Sequence, residues 1–259
     1  MKDLTTILIP VFNCADYTKQ CLDSILKNTR SFYDILIINN GSTDHTKDIL
    51  ASVSCIKQPN LRNFEVIENK ENLGVVKAFN QGIDSFKGDH LLLLNNDCIV
   101  TSGWLENMLN AYSHDSCIGI VGPCTNTFDD KDHPHHQLIQ AGYKNLSDLE
   151  RFAARLRQEK SGKICVVQYV FGHCMLVKRP VIDAVGKFDE IFGIGYFEEI
   201  DFCQNAVKKG YRVAVALDSF VHHFGNVTLD YLGIDREQLK EKNRKIYSTK
   251  HGVDFNDQL

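Results

Sequence analysis

The stretch 91–100 (LLLLNNDCIV) constrains the fold of this chain more than any other part of the sequence. Its four consecutive leucines show no polar alternation, which predicts a strand covered on both faces, as in a parallel sheet. Asn95, Asn96 and Asp97 follow at the carboxyl end, where open α/β sheets bind ligands. One carboxylate beside neutral oxygens suits a divalent cation that already carries phosphates. The residues alone leave a second interpretation open, in which Asp97 caps the next helix from a turn.

Apolar runs of strand type alternate with stretches of helical spacing in the first part of the chain. Such alternation is typical of parallel sheets with right-handed crossovers, so it predicts an α/β fold. The sheet is expected to be doubly wound and mostly parallel, with helices on both faces, and Pro10 is expected to end its first strand. The predicted strands are 4–9, 34–38, 64–67 and the leucine run, and the predicted helices are 17–26, 46–53 and 75–86.

The rest of the chain is less regular. The long β-rich run 164–178 contains Gly172, where we expect two strands joined by a bend. A basic helical tail is predicted from about residue 230 to residue 250. Further strands are predicted at 117–121 and 211–217, and further helices at 104–112, 148–160, 180–185 and 198–209.

Charge and composition narrow the function classes. The net charge of −4 argues against nucleic-acid binding, which needs a basic face. The nine cysteines are odd in number and lack metal-knuckle spacing, so we expect reduced thiols in a cytoplasmic protein. No run approaches the ~20 apolar residues of a membrane span, and the apolar start is too short for a signal peptide. The basic tail is either a solvated face or a peripheral contact with the inner face of a membrane.

A second polar centre combines Glu198, Glu199 and Asp201 at the start of a predicted helix. Acids favour helix N-termini through the macrodipole, which is a sufficient structural explanation. Glu198 and Asp201 share one helix face at i, i+3 spacing, whereas Glu199 points elsewhere. One of the three acids could therefore face a crevice as a general base.

Histidines raise two further metal hypotheses. His222 and His223 are adjacent, so their side chains point in different directions and at most one is expected to enter a site. The loop 122–146 holds three histidines and three aspartates, but no predicted strand or helix fixes a ligand geometry there, which favours a solvated loop. Those acids and histidines are Asp129, Asp130, Asp132, His133, His135 and His136.

Taken together, the motifs resemble those of the family 2 glycosyltransferases, which have the GT-A fold. The similarity covers roughly residues 4–228, and the joint order and spacing of the motifs make it specific. The matching stretches are 9–13 (IPVFN), 39–44 (NNGSTD), 72–82 (NLG…A-x-N-x-G), 95–97 (NND), 186–190 (GKFDE), 198–203 (EEIDFC) and His222 with Gly225.

This resemblance implies a division of the chain and a set of roles. The expected GT-A domain is 1–228, with a donor half of about 1–122 and an acceptor half of about 123–228 that includes a smaller β region, followed by the tail 229–259. Asp97 and His222 would ligate Mn²⁺ or Mg²⁺ on the diphosphate of a nucleotide-sugar. Glu199 would be the general base, with Glu198 and Asp201 as the other catalytic candidates. Residues expected to bind the donor are Pro10, Phe12, Asn13, Asn40, Asp44, Gly74, Asn80, Asn95 and Asn96.

The expected reaction is transfer of one sugar, with inversion, from a UDP- or dTDP-sugar to a hydroxyl. The acceptor would be a glycan, a lipid-linked oligosaccharide or a protein, in cell-surface polysaccharide or glycoconjugate synthesis. Asn39 and Glu199 stand where the family often has Asp, Asn205 replaces a usual Arg, and the Gln-x-x-Arg-Trp motif of processive members is absent. The absent motif implies transfer of one sugar per encounter, whereas Asn39 and the single-carboxylate metal motif keep open a degenerate module that only binds sugar or nucleotide. A nucleotidyltransferase is disfavoured because the loop after the first strand lacks a glycine-rich triphosphate motif.

Overall fold

A nine-stranded sheet organises the computed structural model, which describes residues 3–126, 136–253 and 255. The strands are β1 (Thr5–Val11), β2 (Tyr33–Asn39), β3 (Leu61–Glu68), β4 (His90–Leu94), β5 (Cys98–Val100), β6 (Ile118–Thr125), β7 (Ile164–Val167), β8 (Cys174–Lys178) and β9 (Arg212–His223). They lie in the order β3-β2-β1-β4-β8-β6-β9-β5, and β7 pairs with β9. Strands β1 to β4, β6 and β9 point in one direction, which confirms the predicted α/β fold with a mostly parallel sheet.

Helices cover both faces of this sheet. Those predicted at 17–26, 46–53 and 75–86 are confirmed, with ends that shift by at most two residues. The helices of the described residues are α1 (Ala15–Asn28), α2 (Thr46–Ser54), α3 (Val75–Ser85), α4 (Trp104–Ala111), α5 (Leu149–Lys160), α6 (Arg179–Val185), α7 (Glu198–Lys208), α8 (Val227–Tyr231) and α9 (Arg236–His251).

The leucines of β4 enter two separate hydrophobic cores. Leu91 and Leu93 pack with α3, α5, α6 and α7 on one face of the sheet. Leu92 and Leu94 pack with α1, α2 and α4 on the other face, where Trp104 is fully buried. Because successive side chains of a strand point to opposite faces, an unbroken apolar run is what a strand covered on both sides requires.

The run 164–178 forms two strands that occupy distant places in the sheet. β8 lies between β4 and β6 and is antiparallel to both, whereas β7 is antiparallel to β9. The first four residues of β8 are buried, which suits a central position, and every residue of β7 is at least partly exposed. The prediction of two strands is confirmed, but the expected simple bend is wrong because residues 168–173 connect different parts of the sheet.

The first strand continues past Pro10 to Val11, so the predicted end at Pro10 is wrong. The N–H of Asn40 donates to the Val11 carbonyl at 2.7 Å, which shows that Val11 faces β2. Successive backbone groups of a strand face opposite sides, so Pro10 faces β4. The ladder between β1 and β4 has already ended at Leu8, and the missing N–H of Pro10 therefore removes no ladder bond.

The stretch after Asp97 leaves β4 and pairs elsewhere. β5 runs antiparallel to the end of β9, with Cys98 opposite His223 and Val100 opposite Val221. β9 is consequently longer than the predicted strand 211–217. The polar residue Ser219 is tolerated inside it because its hydroxyl donates to the Trp104 carbonyl at 2.8 Å.

The C-terminal tail is two helices rather than the single helix predicted for 230–250. α8 ends before Gly233, whose φ of +65° breaks the helical path, and α9 begins after the cap provided by Asp235. Asn243 of α9 is fully buried and its amide donates to the carbonyls of Phe192 and Gly195. The tail therefore packs on the main body of the fold. Among the described residues, no helix is long and apolar enough to cross a membrane.

Candidate active site

A cavity of about 270 Å³ opens at the carboxyl ends of β1, β2 and β4. Its wall also includes residues 169 and 171–173 and the start of α7. Part of the C-terminal segment, which is defined as residues 225–253 and 255, lines it as well. This position is the crevice at which open α/β sheets bind ligands. The predicted site residues that line it are Pro10, Phe12, Asn40, Gly74, Asn95, Asn96, Asp97, Glu198 and Glu199.

Asn40 shapes the loop that forms one wall of the cavity. Its side-chain oxygen accepts from the Asn69 amide at 2.8 Å and from the Leu73 N–H at 3.4 Å. Its amide donates to the Gly74 carbonyl at 3.2 Å. Gly74 has a φ of +86°, a conformation that side chains with a Cβ rarely adopt. The buried Asn40 side chain therefore holds the loop 69–74 in place.

Three residues predicted to bind the donor do not line the cavity and have structural partners instead. Asn13 bridges the loops after β1 and β2, because its side-chain oxygen accepts from the Thr43 N–H at 2.7 Å. The Asp44 carboxylate accepts from the N–H groups of Ala15 and Thr46 at 3.1 and 3.0 Å, and so caps the starts of α1 and α2.

Asn80 is the third of these residues, and it joins α3 to the loop before α7. Its side-chain oxygen accepts from the Phe188 N–H at 2.9 Å, and its amide donates to the Phe188 carbonyl at 3.0 Å. Asn80 is 5% exposed, so this reciprocal pair is shielded from water. The motif that contains Asn80 thus serves to position other parts of the site.

Asp97 faces His223 at the floor of the cavity. The Asp97 Oδ1 and His223 Nε2 atoms are 3.1 Å apart, and both side chains are largely buried. Burial by itself raises the pKa of Asp97, but the His223 imidazole and the Val227 N–H stabilise the charged form and lower that pKa overall. Asp97 is therefore an ionised carboxylate within the cavity wall, and it does not cap α4, the next helix along the chain.

The structure places His223, rather than the predicted ligand His222, beside Asp97. His222 lies opposite Ile99 in the β5–β9 ladder and faces the other side of the sheet, where its Nδ1 is 2.7 Å from the Tyr143 hydroxyl. Burial and the neighbouring His223 lower the pKa of His222 to about 4, which keeps it neutral. Adjacent residues of a strand face opposite sides, and only the partner strand decides which histidine faces the cavity.

Asp97 and His223 fit a divalent cation. The pair offers one carboxylate oxygen and one imidazole nitrogen, which are donors that Mn²⁺ accepts. Sγ of Cys98 lies within 4.8 Å of ligand atoms of both residues. Burial and the Asp97 charge raise the pKa of the Cys98 thiol well above its ordinary value, so the thiol is neutral when no cation is near.

His136 is exposed, and the other histidines and aspartates of the predicted loop site lie outside the described residues.

Glu198 and Glu199 begin α7 and also line the cavity. Burial and the charge of Glu199 raise the pKa of Glu198 well above its ordinary value. Burial also raises the pKa of Glu199, but N–H groups of Gly172 and Ile200 partly offset this by stabilising its charged form. Two adjacent buried carboxyls do not both ionise readily, and the N–H groups beside Glu199 make it the one of the pair that ionises more easily.

Asp201, the third acid, points away from the cavity. Its Oδ1 atom lies 2.7 Å from His251 Nε2, and Lys250 Nζ donates to its Oδ2 atom at 2.9 Å. The Asn205 amide donates to the same oxygen at 3.0 Å. Asp201 is 2% exposed, and these partners belong to α7 itself and to the end of α9. The basic residue Lys250 of the tail is thus paired with a buried carboxylate of α7 while its own side chain stays partly exposed.

The cavity also has an apolar wall made of aromatic side chains. Tyr169, Phe171 and Phe197 line it together with Phe255, which packs edge-on against Phe197 at a ring distance of 4.9 Å. Tyr196 and Phe197 both have positive φ values, 68° and 74°, immediately before the two glutamates. Such strained backbone in non-glycine residues concentrates at functional sites.

The sequence profile described as glycosyl transferase family 2 matches residues 6–186, which is more than half of the chain. The chain belongs to this family. Among its relatives, the glycosyltransferase AglE of Haloferax volcanii is 24% identical over 241 residues, which cover 91% of this chain and 73% of AglE. The glycosyltransferase GlyG of Streptococcus pneumoniae is 26% identical over 185 residues, which cover 71% of this chain and 60% of GlyG.

Solved structures confirm the GT-A fold of this family 2 chain. The mannosyltransferase PcManGT of Pyrobaculum calidifontis, solved with GDP-Man and Mn²⁺, superposes with a TM-score of 0.60 at 19% identity, covering 86% of this chain and 57% of that one. GalNAc-T7, solved with UDP, GalNAc and Mn²⁺, gives a TM-score of 0.65 at 17% identity, covering 86% of this chain and 44% of that one. The chain therefore spans about half the length of these structural relatives.

Proposed function

We propose that this chain is a metal-dependent glycosyltransferase that moves one sugar from a nucleotide-diphosphate donor to an acceptor hydroxyl, with inversion. The observation that carries the proposal is the shared cavity. Both the Asp97–His223 pair and the Glu198–Glu199 pair line it. A leaving diphosphate needs positive charge and an attacking hydroxyl needs a proton acceptor, and this cavity offers groups for both.

We propose that the donor binds between the loops after β1, β2 and β4. Pro10, Phe12 and Asn40 line that part of the cavity and would hold the nucleoside. Structural relatives support a nucleotide-sugar, since PcManGT was solved with GDP-Man and Staphylococcus aureus TarS with UDP-GlcNAc. For this chain the proposed donor is a UDP- or dTDP-sugar.

Asp97 and His223 would hold the divalent cation, Mn²⁺ or Mg²⁺. When bound, the ion supplies positive charge to the diphosphate oxygens as a Lewis acid. Asp97 is suited to this because it stays ionised despite its burial. The His173 ring stacks on His223 at 4.9 Å with an interplanar angle of 13°, which fixes the orientation of that imidazole.

Glu199 is the proposed general base. Its carboxylate would accept the proton of the acceptor hydroxyl while that oxygen attacks the anomeric carbon from the face opposite the nucleotide. Glu198 would keep Glu199 ionised by remaining protonated beside it, and the Gly172 N–H stabilises the charged carboxylate. Attack from the opposite face inverts the configuration of that carbon.

The acceptor is placed against the apolar wall formed by Tyr169, Phe171, Phe197 and Phe255. This wall adjoins Glu199, because a Cβ on Gly172 would lie 3.5 Å from the Glu199 side chain. Aromatic faces suit the apolar faces of a glycan or the chain of a lipid-linked acceptor. A role in cell-surface polysaccharide or glycoconjugate synthesis fits such acceptors.

The experiment that tests the proposal is a thermal-shift screen of nucleotides and nucleotide-sugars, with Mn²⁺ and with chelator, followed by a turnover assay. A ligand at ~100 times its dissociation constant adds roughly 2.7 kcal/mol of stability. A metal-dependent shift with turnover of the same donor supports the proposal. A shift without hydrolysis or transfer, under any acceptor tested, indicates a module that binds but does not catalyse.

A further inference from the structure

Cys98 adds a thiol to the back of the proposed metal site. It lies opposite His223 in the β5–β9 ladder, so both side chains project from the same face of the sheet. Sγ, the imidazole nitrogen and a carboxylate oxygen of Asp97 all lie within 4.8 Å of one another. Cys98 is 1% exposed and is not part of the cavity wall, which places its sulfur behind the other two groups.

We propose that Asp97, Cys98 and His223 form a three-ligand site for thiophilic divalent cations such as Zn²⁺ and Cd²⁺, which compete there with Mn²⁺. This inference rests on the proposed role of Asp97 and His223 as metal ligands. Carboxylate and imidazole alone suit Mn²⁺ or Mg²⁺, whereas a thiolate selects softer ions. Three protein ligands from Asp, Cys and His, with one position left open, also match the number found in many zinc sites.

Surrounding groups hold the three ligands for such an ion. The His173 ring stacks on His223, and the His173 carbonyl accepts the Cys98 thiol hydrogen at an S···O distance of 3.6 Å. On binding, the S–H bond breaks, its proton goes to solvent, and a sulfur–metal bond forms.

The test uses the full-length chain and metal ions alone. Cd²⁺ gives an ultraviolet cadmium–thiolate absorption band, which reports a sulfur ligand directly. We expect a band that is weaker in Cys98→Ser than in the wild type and in Cys174→Ser, because Cys174 is a buried cysteine outside the three-residue group. Exposed thiols such as Cys55 and Cys117 contribute equally to both variants and cancel in the comparison.

Calorimetry and Mn²⁺ electron paramagnetic resonance complete the test. Zn²⁺ should displace bound Mn²⁺ from the wild type. Loss of an outer-shell partner already weakens metal binding by about 10–100-fold, so loss of the Cys98 ligand in Cys98→Ser should weaken Zn²⁺ binding at least about tenfold. Mn²⁺ affinity should stay within about twofold, since its ligands remain. Equal loss of both ions, or a cadmium band unchanged in Cys98→Ser, would overturn the inference.

These readouts separate the inference from the proposed function. Mn²⁺-dependent UDP binding tests the function and does not involve Cys98. A chain that binds UDP with Mn²⁺ but shows no Cys98-dependent cadmium band refutes only the thiophilic site. A chain that shows the band but binds no nucleotide supports the site and refutes the transferase proposal.

Discussion

Asp201 Oδ1 lies 2.7 Å from His251 Nε2, and this contact joins the helix that carries the glutamate pair to the end of the last helix. Both side chains are almost fully buried. Lys250 reinforces the contact by bridging Asp201 and Asp189. The proposed catalytic helix is thereby fixed by a part of the chain far away in sequence.

Asp201→Ala should destabilise the fold without removing donor binding. Loss of the carboxylate removes the buried partner of the His251 imidazole, and breaking a buried pair costs about 3–5 kcal/mol. Urea unfolding measures the loss, and nucleotide binding is measured below the transition. Asp84→Ala is the control, because its pair with Lys187 is exposed and should contribute less than about 1 kcal/mol. Full stability with abolished transfer would instead assign Asp201 to the reaction.

Glu199→Gln should keep donor binding and lose most transfer. A general base contributes about 10²–10⁴-fold, and glutamine has the same shape but cannot accept the proton. The measurement is kcat with saturating donor, alongside the dissociation constant of the nucleotide-sugar. Turnover close to that of the wild type would exclude Glu199 as the base.

Glu198 should contribute stability that is lost as pH rises, whereas His222, whose pKa is lowered to about 4, contributes in the opposite direction below pH 6.5. The pKa of Glu198 is raised in the folded state from 4.5, so above pH 4.5 the folded chain holds a proton that the unfolded chain has lost. Unfolding then releases that proton, and stability decreases by up to about 1.4 kcal/mol per pH unit until the folded pKa is passed. Denaturant unfolding between pH 4.5 and pH 7 should show the stability of the wild type falling relative to that of Glu198→Gln, because the His222 contribution is common to both. Parallel curves would mean that Glu198 is already ionised in the folded chain.

His223→Ala and Asp97→Ala should each weaken Mn²⁺-dependent binding of UDP, whereas His222→Gln should not. His223 lies 3.1 Å from Asp97, but His222 faces Tyr143 on the other side of the sheet. Titration calorimetry of UDP with Mn²⁺ and with chelator measures the difference. If only the His222 variant loses the metal effect, the ligand assignment from the structure is wrong.

Asn80→Ala should destabilise the chain by about 1–3 kcal/mol while leaving nucleotide affinity unchanged at temperatures where it is folded. The variant leaves the buried N–H and carbonyl of Phe188 without their partners, and an unsatisfied buried polar group carries that cost. A large loss of nucleotide affinity in a stable variant would show that Asn80 contributes to donor binding.

Much of the fold could be predicted from the order of apolar runs. The strands of the parallel half and helices α1 to α3 appear where the sequence placed them, because each pattern is local. The pairing of β5 with β9 and the insertion of β8 between β4 and β6 could not be predicted. Both depend on contacts between residues far apart in the chain, which periodicity does not encode.

The candidate site likewise has features that follow from the sequence and features that follow only from folding. The sequence by itself determined the family motifs and the chemical types, namely Asp97, a histidine from 222–223 and an acid from the start of α7. The tertiary structure decided which histidine lies beside Asp97. It also decided that Asp201 pairs with the last helix and that Phe255 is part of the apolar cavity wall. Side-chain direction in a strand follows from its partner's register, and burial and pKa follow from groups brought together only by folding.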